Sequence, residues 1–507
     1  MQQSAANDGW LRIIIKDNQP SVSGQTRFFK GYITASSKNS DASDGIYVRW
    51  NWDGEKLDVS TCYTGFIPLF YYYDSKQIVV STRIEDIFKS TGLAPTIDHP
   101  SLGVLLRLGF LIGNSTPFEG VNVLGPQGRI VWRPGEKARV TWAYPSFKPA
   151  NIDREEAKRR YVELFRASMR KISAIMSEDF TLPLSGGRDS RHIALELNRL
   201  GRRPRCAVTV KHLPPRRNED ARIAGLLCKH MDWPHVTIDQ PLLRFRQEIL
   251  HSEVIDFQCF EHAWTLPLRK HALDNGVSSV FDGVGGDVLS AGLFQVDSLL
   301  ELYTQGKLGE LSKALVSAWQ RLGGEEGINE AVGKELIEVC EADTSLRLIE
   351  DELARHSSQP NPLKSFYFWN RTRRSTGLLP FKVLGNTIAY APYLDKELLD
   401  LLLSLPPSIT EDKHLHTETI DLADASIGSI AYESKSAAKI EESIIQSLAF
   451  FGPLAIQSLK AHGFLNAKFV VPRAARNMLV KTEAGANWWN PRRVAYLAGL
   501  SQFVRSF

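Results

Sequence analysis

Between residues 180 and 281 the chain alternates short apolar runs with amphipathic stretches of helical period, and few folds accept that pattern. Residues 180–184, 206–210, 235–238 and 278–281 read as strands, and 190–200 and 220–231 read as helices. A parallel strand connection needs a crossover long enough to hold a helix, so strands spaced this way pair in parallel. The alternation therefore predicts an α/β unit, a parallel sheet covered by helices. From residue 298 onward helical segments dominate.

The amino-terminal part reads differently. Runs at 11–15, 46–52, 68–73, 78–81 and 130–132 have strand character, and Asp53-Gly54 marks a turn between two of them. Helical stretches are expected near 84–90 and 101–109. The polar, proline-containing stretch 145–151 reads as a linker. Asp153, with Glu156 three residues on, predicts a capped start to a long helix reaching about residue 177. A chain of 507 residues is too long for one ordinary core, and the expected domains are 1–148 and 149–507.

Composition excludes several classes of function. With 61 basic and 57 acidic side chains, the net charge of +4 is too small to argue for nucleic acid or a membrane surface as partner. Cys62, Cys206, Cys228, Cys259 and Cys340 are odd in number, widely spaced and form no CxxC, so neither a disulfide framework nor a zinc site is expected. The amino terminus lacks the features of a signal peptide, and no apolar run approaches the ~20 residues that span a bilayer, so a cytoplasmic location is expected.

The segment Leu184-Ser185-Gly186-Gly187-Arg188-Asp189-Ser190 joins a strand to a helix. Two glycines let the backbone approach a polyanion, and the helix start offers free N–H groups and the positive end of its dipole. Ser185 and Ser190 add hydroxyl donors, and Asp189 would repel phosphate unless a divalent cation stood between them. This is the composition of a pyrophosphate-binding loop. A second loop, Asp282-Gly283-Val284-Gly285-Gly286-Asp287, follows the strand at 278–281. If both loops leave carboxyl ends of one sheet, Asp287 can join Asp189 on the same cation while Asp282 and Gly283 line the ligand. Two look-alikes fail: the stretch 327–334 has the wrong glycine spacing for a Walker loop, and Gly283-Val284-Gly285 lacks the third glycine of a dinucleotide fingerprint.

These motifs together resemble the asparagine synthetase superfamily, which includes β-lactam synthetases and lasso-peptide cyclases. LSGGRDS resembles its LSGGLDS loop, and DGVGGDVLSAG resembles its second loop, SGxGxDExxGG. Gly65-Phe66-Ile67-Pro68-Leu69-Phe70-Tyr71-Tyr72 resembles its G-x-x-P-L-Y-Y strand, and Ala391-Pro392-Tyr393-Leu394-Asp395 its V-P-F-L-D. Glu219-Asp220 falls near its acidic pair after the second strand. The resemblance implies a degenerate Ntn-hydrolase-like α+β sandwich in front of an adenine-nucleotide α-hydrolase-like parallel sheet. It implies ATP and Mg²⁺, with Ser185, Gly186, Gly187, Asp189 and Ser190 on pyrophosphate and metal and Asp287 as second metal ligand. A late lysine meets the developing phosphate charge in the family; Lys435 is the first choice here and Lys439 its rival.

Departures from the family pattern narrow the expectation. Position 2 is Gln2 where glutamine-dependent members carry a cysteine nucleophile, so ammonia from glutamine is not expected. Val284, Val288, Ile388 and Tyr390 stand where relatives carry acids or a base, which disfavours free aspartate as substrate. The resulting expectation is an AMP-forming carbon–nitrogen ligase acting on a peptide or small carboxylate, closest to a lasso-peptide cyclase working with a precursor peptide and its protease. The alternatives are an ammonia-dependent asparagine synthetase and a non-catalytic nucleotide-binding relative. A thiolating enzyme with the same loop lacks support, because paired cysteines are absent. The cluster Phe366-Tyr367-Phe368-Trp369 with Arg371, Arg373 and Arg374 reads either as a core-packed helix or as lining of a substrate cavity, and His414 and His416 read as surface residues.

Overall fold

The computed structural model describes residues 4–5, 7–35, 44–214, 218–292, 294–319, 324–424, 430–433, 443–479 and 490–507. Two antiparallel sheets form the amino-terminal part. Strands Ser4–Ala5, Arg27–Ala35, Asp44–Trp52, Leu57–Thr61, Arg129–Trp132 and Arg139–Thr141 make one, in that order. Gln19–Gly24, Trp10–Lys16, Gln77–Ser81, Phe70–Tyr73 and Asn122–Val123 make the other.

Side-chain alternation assigns the faces. Leu11, Ile13, Ile78 and Val80 share a core with Val48, Trp50 and Val59 of the six-stranded sheet, whereas Phe70 and Val79 join Ile87, Phe88 and Leu105 in a second core under helices Ile84–Thr91 and His99–Leu108. The Asp53 carboxylate accepts from the Glu55 and Lys56 amides and builds the turn expected there. Gln19–Gly24 was not legible because it is an edge strand exposed along most of its length; Pro20 is tolerated there since only one side of the strand is paired.

Asp153 caps the helix Arg154–Ser173, accepting from the Glu156 amide at 2.8 Å. Glu156 does not complete a capping box but pairs with Arg159 at 2.8 Å, and the helix stops four residues short of the expected end. The carboxyl-terminal part is mixed α/β, with a five-stranded sheet in which every pairing is parallel. Its fifth strand, Ile388–Tyr390, is three residues long and carries no alternation by which it could be read.

The two parts share one continuous core. The Tyr32 hydroxyl accepts from the Ala391 amide at 3.1 Å, and its ring lies 5.0 Å from that of Tyr390. Arg373 and Arg374 both donate to the Gly113 carbonyl, at 2.7 and 2.8 Å. Phe366, Phe368 and Trp369 are fully buried, so this segment packs the core and the cavity-lining alternative is set aside. Among the described residues no helix is long and apolar enough to cross a membrane.

Candidate active site at the switch point of the parallel sheet

The strand order of the parallel sheet is His235–Asp239, Cys206–Lys211, Thr181–Pro183, Ser279–Phe281, Ile388–Tyr390. The chain winds outward in one direction from Thr181–Pro183, then returns to lay Ser279–Phe281 on its other side. Winding reverses between these two strands, and loops leaving their carboxyl ends border a crevice of the kind where open α/β sheets hold ligands. Pro183 shapes that crevice. The Leu184 amide donates to the Val208 carbonyl at 2.9 Å, so Pro183, one residue earlier, turns its nitrogen toward Ser279–Phe281. Lacking an N–H it cannot extend that ladder, which holds the single pair Thr181↔Val280.

Residues 184–190 leave the first of these strands. Leu184 is buried, and its carbonyl accepts from the Thr209 hydroxyl at 2.6 Å. Ser190 Oγ accepts from the Ser185 amide at 3.1 Å, the two serine hydroxyls lie 3.2 Å apart, and Ser185 Oγ accepts from the Gly187 amide at 3.1 Å. The Gly186 amide donates to Asp220 Oδ1 at 2.8 Å, which gives the acidic pair at 219–220 a place at the loop. A Cβ on Gly186 would stand 3.2 Å from those of both Glu433 and Ile223, so a larger residue would have to push these neighbours back by a few tenths of an ångström. The helix Asp189–Arg199 has no side-chain cap, leaving its positive end turned to the crevice.

Residues 282–287 leave the second strand and meet this loop directly. The Asp287 amide donates to Asp189 Oδ2 at 3.3 Å. A Cβ on Gly283 would lie 2.5 Å from that of Asp189, and one on Gly286 would lie 2.6 Å from Asp189 Oδ1. Both glycines are therefore what lets the loops close on one another. Gly285, at φ +95°, starts the short helix Gly286–Ser290 in a conformation that side chains resist. Asp282 accepts from the Val284 amide at 2.8 Å; burial outweighs that bond and pushes its carboxyl up to about 6.

Burial and then the neighbouring Asp287 carboxylate push the Asp189 carboxyl well above the ordinary carboxylate range. Its Oδ1 is sealed from solvent with no hydrogen-bond partner among the described residues. Two carboxylates that repel each other beside an uncapped helix start are a donor set that fits a hard divalent cation shared with phosphate oxygens. Among the described residues no cluster of three or more His, Cys, Asp or Glu could enclose a metal by itself, so a cation here would need ligand oxygens as well.

Behind the loops lies a buried polar group that the sequence did not reveal. His416 Nδ1 stands 3.3 Å from Asp189 Oδ1. Tyr393 links His416 Nε2 at 3.1 Å to His192 Nδ1 at 3.2 Å, and Tyr161 reaches the Ser290 hydroxyl at 3.0 Å. His416 is fully buried, which overturns the surface expectation for it, while His414 is exposed as expected. The helix Leu415–Ala423 turns His416 inward, where burial and then the Arg188 charge push its imidazole down to about 3, so it is neutral. Only the helical position of His192, three residues after Asp189, hinted at this group.

Arg191 donates to the carbonyls of Ile430 and Ala431, both at 2.8 Å, and Arg191 and Arg188 stack on the Tyr432 ring. The Glu433 amide then donates to the Gly186 carbonyl at 3.1 Å. The segment that leads to the late lysines is thereby pinned to the glycine loop. Lys435 and Lys439 themselves lie outside the described residues.

No protein-family model and no curated protein matches the chain. Among solved structures, it is similar to the U34-tRNA thiolase NcsA from Methanococcus maripaludis with its 4Fe-4S cluster, at 11% identity over 68% of this chain and 94% of that one, with a TM-score of 0.25. It is also similar to the NMN synthetase from Francisella tularensis, at 15% identity over 45% of this chain and 96% of that one, with a TM-score of 0.20. Likenesses this low do not bear on the reading of the site.

Proposed function

We propose that this chain is an ATP-dependent, AMP-forming ligase that converts a carboxylate to its adenylate and couples it to an amine. The carrying observation is the meeting of two acidic glycine loops at the switch point, with the Asp287 amide 3.3 Å from Asp189 Oδ2. In this reading Ser185, Gly186, Gly187 and Ser190 form the pyrophosphate cradle at an open helix start, and Leu184, Asp282 and Gly283 line the nucleotide. Asp189 and Asp287 would hold Mg²⁺, which when bound neutralises phosphate charge and makes pyrophosphate a better leaving group. The substrate carboxylate oxygen attacks the α-phosphorus, and pyrophosphate leaves. The amine then attacks the acyl carbon, loses its proton, and AMP leaves.

The chain's own residues orient and shield these steps. The buried His416, anchored by Tyr393, stands against one Asp189 carboxylate oxygen, and the other accepts from the Asp287 amide. Lys435, with Lys439 as rival, is the proposed group facing the developing phosphate charge. The finer reading is macrolactam closure of a lasso-peptide precursor, with residues 1–148 as a degenerate Ntn-hydrolase-like module and 149–507 as the synthetase. It rests on the family resemblance and on Val284, Ile388 and Tyr390 standing where relatives carry acids or a base. A second reading, ammonia-dependent asparagine synthesis, shares the adenylation step and differs only in acid and amine.

Pyrophosphate exchange into ATP tests the shared step. Exchange should require a carboxylate, with AMP and pyrophosphate as products. Formation of ADP and phosphate, or carboxylate-dependent exchange that persists at wild-type rate in Asp189→Ala, defeats the proposal. A precursor peptide supporting exchange where aspartate does not selects the macrolactam reading.

A further inference from the structure

The helix Ile444–Lys460 packs through Phe450, Phe451 and Leu454 onto the core and presents an opposite face to solvent. That face is apolar. Ile445, Leu448, Ile456 and Leu459 are 65, 45, 59 and 59% exposed, at helical spacing along the whole element. An amphipathic surface helix puts charge on this side. Here the only charged residue of the helix is Lys460, at its end.

Charge enters from the neighbouring helix, Ala467–Leu479, which packs alongside. Its exposed residues include Lys468, Arg473 and Arg476, and no acidic residue occurs anywhere from 443 to 479. Within the hairpin itself, an exposed apolar stripe on one helix is therefore accompanied by basic side chains on the other and by no acid, although Glu330 of the helix Gly324–Ala331 lies beside its turn. Contiguous apolar surface rimmed by polar groups marks an interaction site. A second copy of the chain meeting this face would bring the basic borders together, which disfavours self-association.

The face also adjoins the proposed site. Gln446, in the first turn of the helix, donates to the Pro214 carbonyl at 2.6 Å. Pro214 belongs to the loop after strand Cys206–Lys211, whose continuation carries Asp220 to the Gly186 amide. The stripe thus starts against the loop that leaves the carboxyl end of strand Cys206–Lys211, one strand from the glycine loop.

We infer that this hairpin is a docking surface for a peptide segment of apolar side chains interspersed with carboxylates, carried by the substrate whose carboxyl group is activated. The inference rests on the proposed adenylation for the identity of the carrier, and on the face alone for its chemistry. Apolar side chains seat on the stripe, and flanking carboxylates pair with Lys468, Arg473 and Arg476.

Fluorescence anisotropy of the full chain with a short fluorescein-labelled peptide built of Leu and Glu tests it, beside a Leu–Lys peptide of equal length. The Leu–Glu peptide should bind and the Leu–Lys peptide should not. Leu448→Ser with Ile456→Ser, and separately Arg473→Glu with Arg476→Glu, should each weaken binding at least about tenfold while nucleotide affinity stays unchanged. All four positions are exposed, so these variants should fold. Equal binding of both peptides, or binding indifferent to both variants, overturns the proposal. So does capture by phosphatidylglycerol vesicles without peptide binding, or a dimer on gel filtration that the serine variant dissociates. Loss of pyrophosphate exchange with peptide binding intact defeats the adenylation reading and leaves the docking surface standing.

Discussion

His416 Nδ1 stands 3.3 Å from Asp189 Oδ1, and among the described residues neither atom has a hydrogen-bond partner. A neutral imidazole anchored through Tyr393 and packed against the carboxylate restricts the orientations open to it. His416→Ala should weaken Mg²⁺-dependent nucleotide binding by about 10–100-fold, and His416→Gln should recover part of the loss. The measurement is a Mg²⁺ titration against a fluorescent ATP analogue. An unchanged midpoint in His416→Ala removes the positioning role.

Asp189 and Asp287 form a single anionic locus at the crevice, so losing either should be felt in the same step. Asp189→Asn and Asp287→Asn should each slow pyrophosphate exchange by about two orders of magnitude or more. Their double variant should lose much less than the product of the two effects. Full multiplication of the effects would show that the two carboxylates act independently.

Gly283 lies where a Cβ would be 2.5 Å from the Cβ of Asp189. Gly283→Ala must push the two loops apart. We expect a loss of about 1–3 kcal/mol of stability together with weakened nucleotide binding. Chemical denaturation and equilibrium binding would report both, and wild-type behaviour in the two assays would contradict the packing described.

Glu352 sets a limit in acid. Burial would raise its carboxyl, but hydrogen bonds from His356, Tyr144 and Asn370 outweigh this and hold it at about 2. A depressed folded value means that its stabilisation is complete above the ordinary glutamate range and is lost as pH falls from about 4.5 toward 2. Glu352→Gln should flatten that part of the stability–pH curve, by on the order of 2–3 kcal/mol. A curve with the wild-type slope between these limits would assign the acid sensitivity elsewhere.

Lys435→Ala should cut pyrophosphate exchange by about 100–1,000-fold with nucleotide affinity nearly unchanged, because the charge it meets develops only in the transition state. Lys439→Ala should cost no more than a few-fold. The reverse pattern exchanges their roles.

Features confined to one element were legible in the sequence. The alternation from 180 to 281, the Asp153 cap, the Asp53 turn and the glycine loop at 184–190 all depend on residues within a few positions of each other. Periodicity reports which side of an element is buried and turn chemistry reports where it ends, and both survive without knowledge of the neighbours. Tertiary structure decided the rest. Asp287 meets Asp189 across 98 positions. Asp220 reaches Gly186, and His416 reaches Asp189, across other elements altogether. Strand order makes these meetings, and no local pattern encodes strand order: a buried apolar run looks the same beside any partner. Pro183 shows the division within one residue. Proline is unwelcome in a central strand, and only the winding of the sheet shows that the side lacking an N–H faces Ser279–Phe281, where the pairing ends.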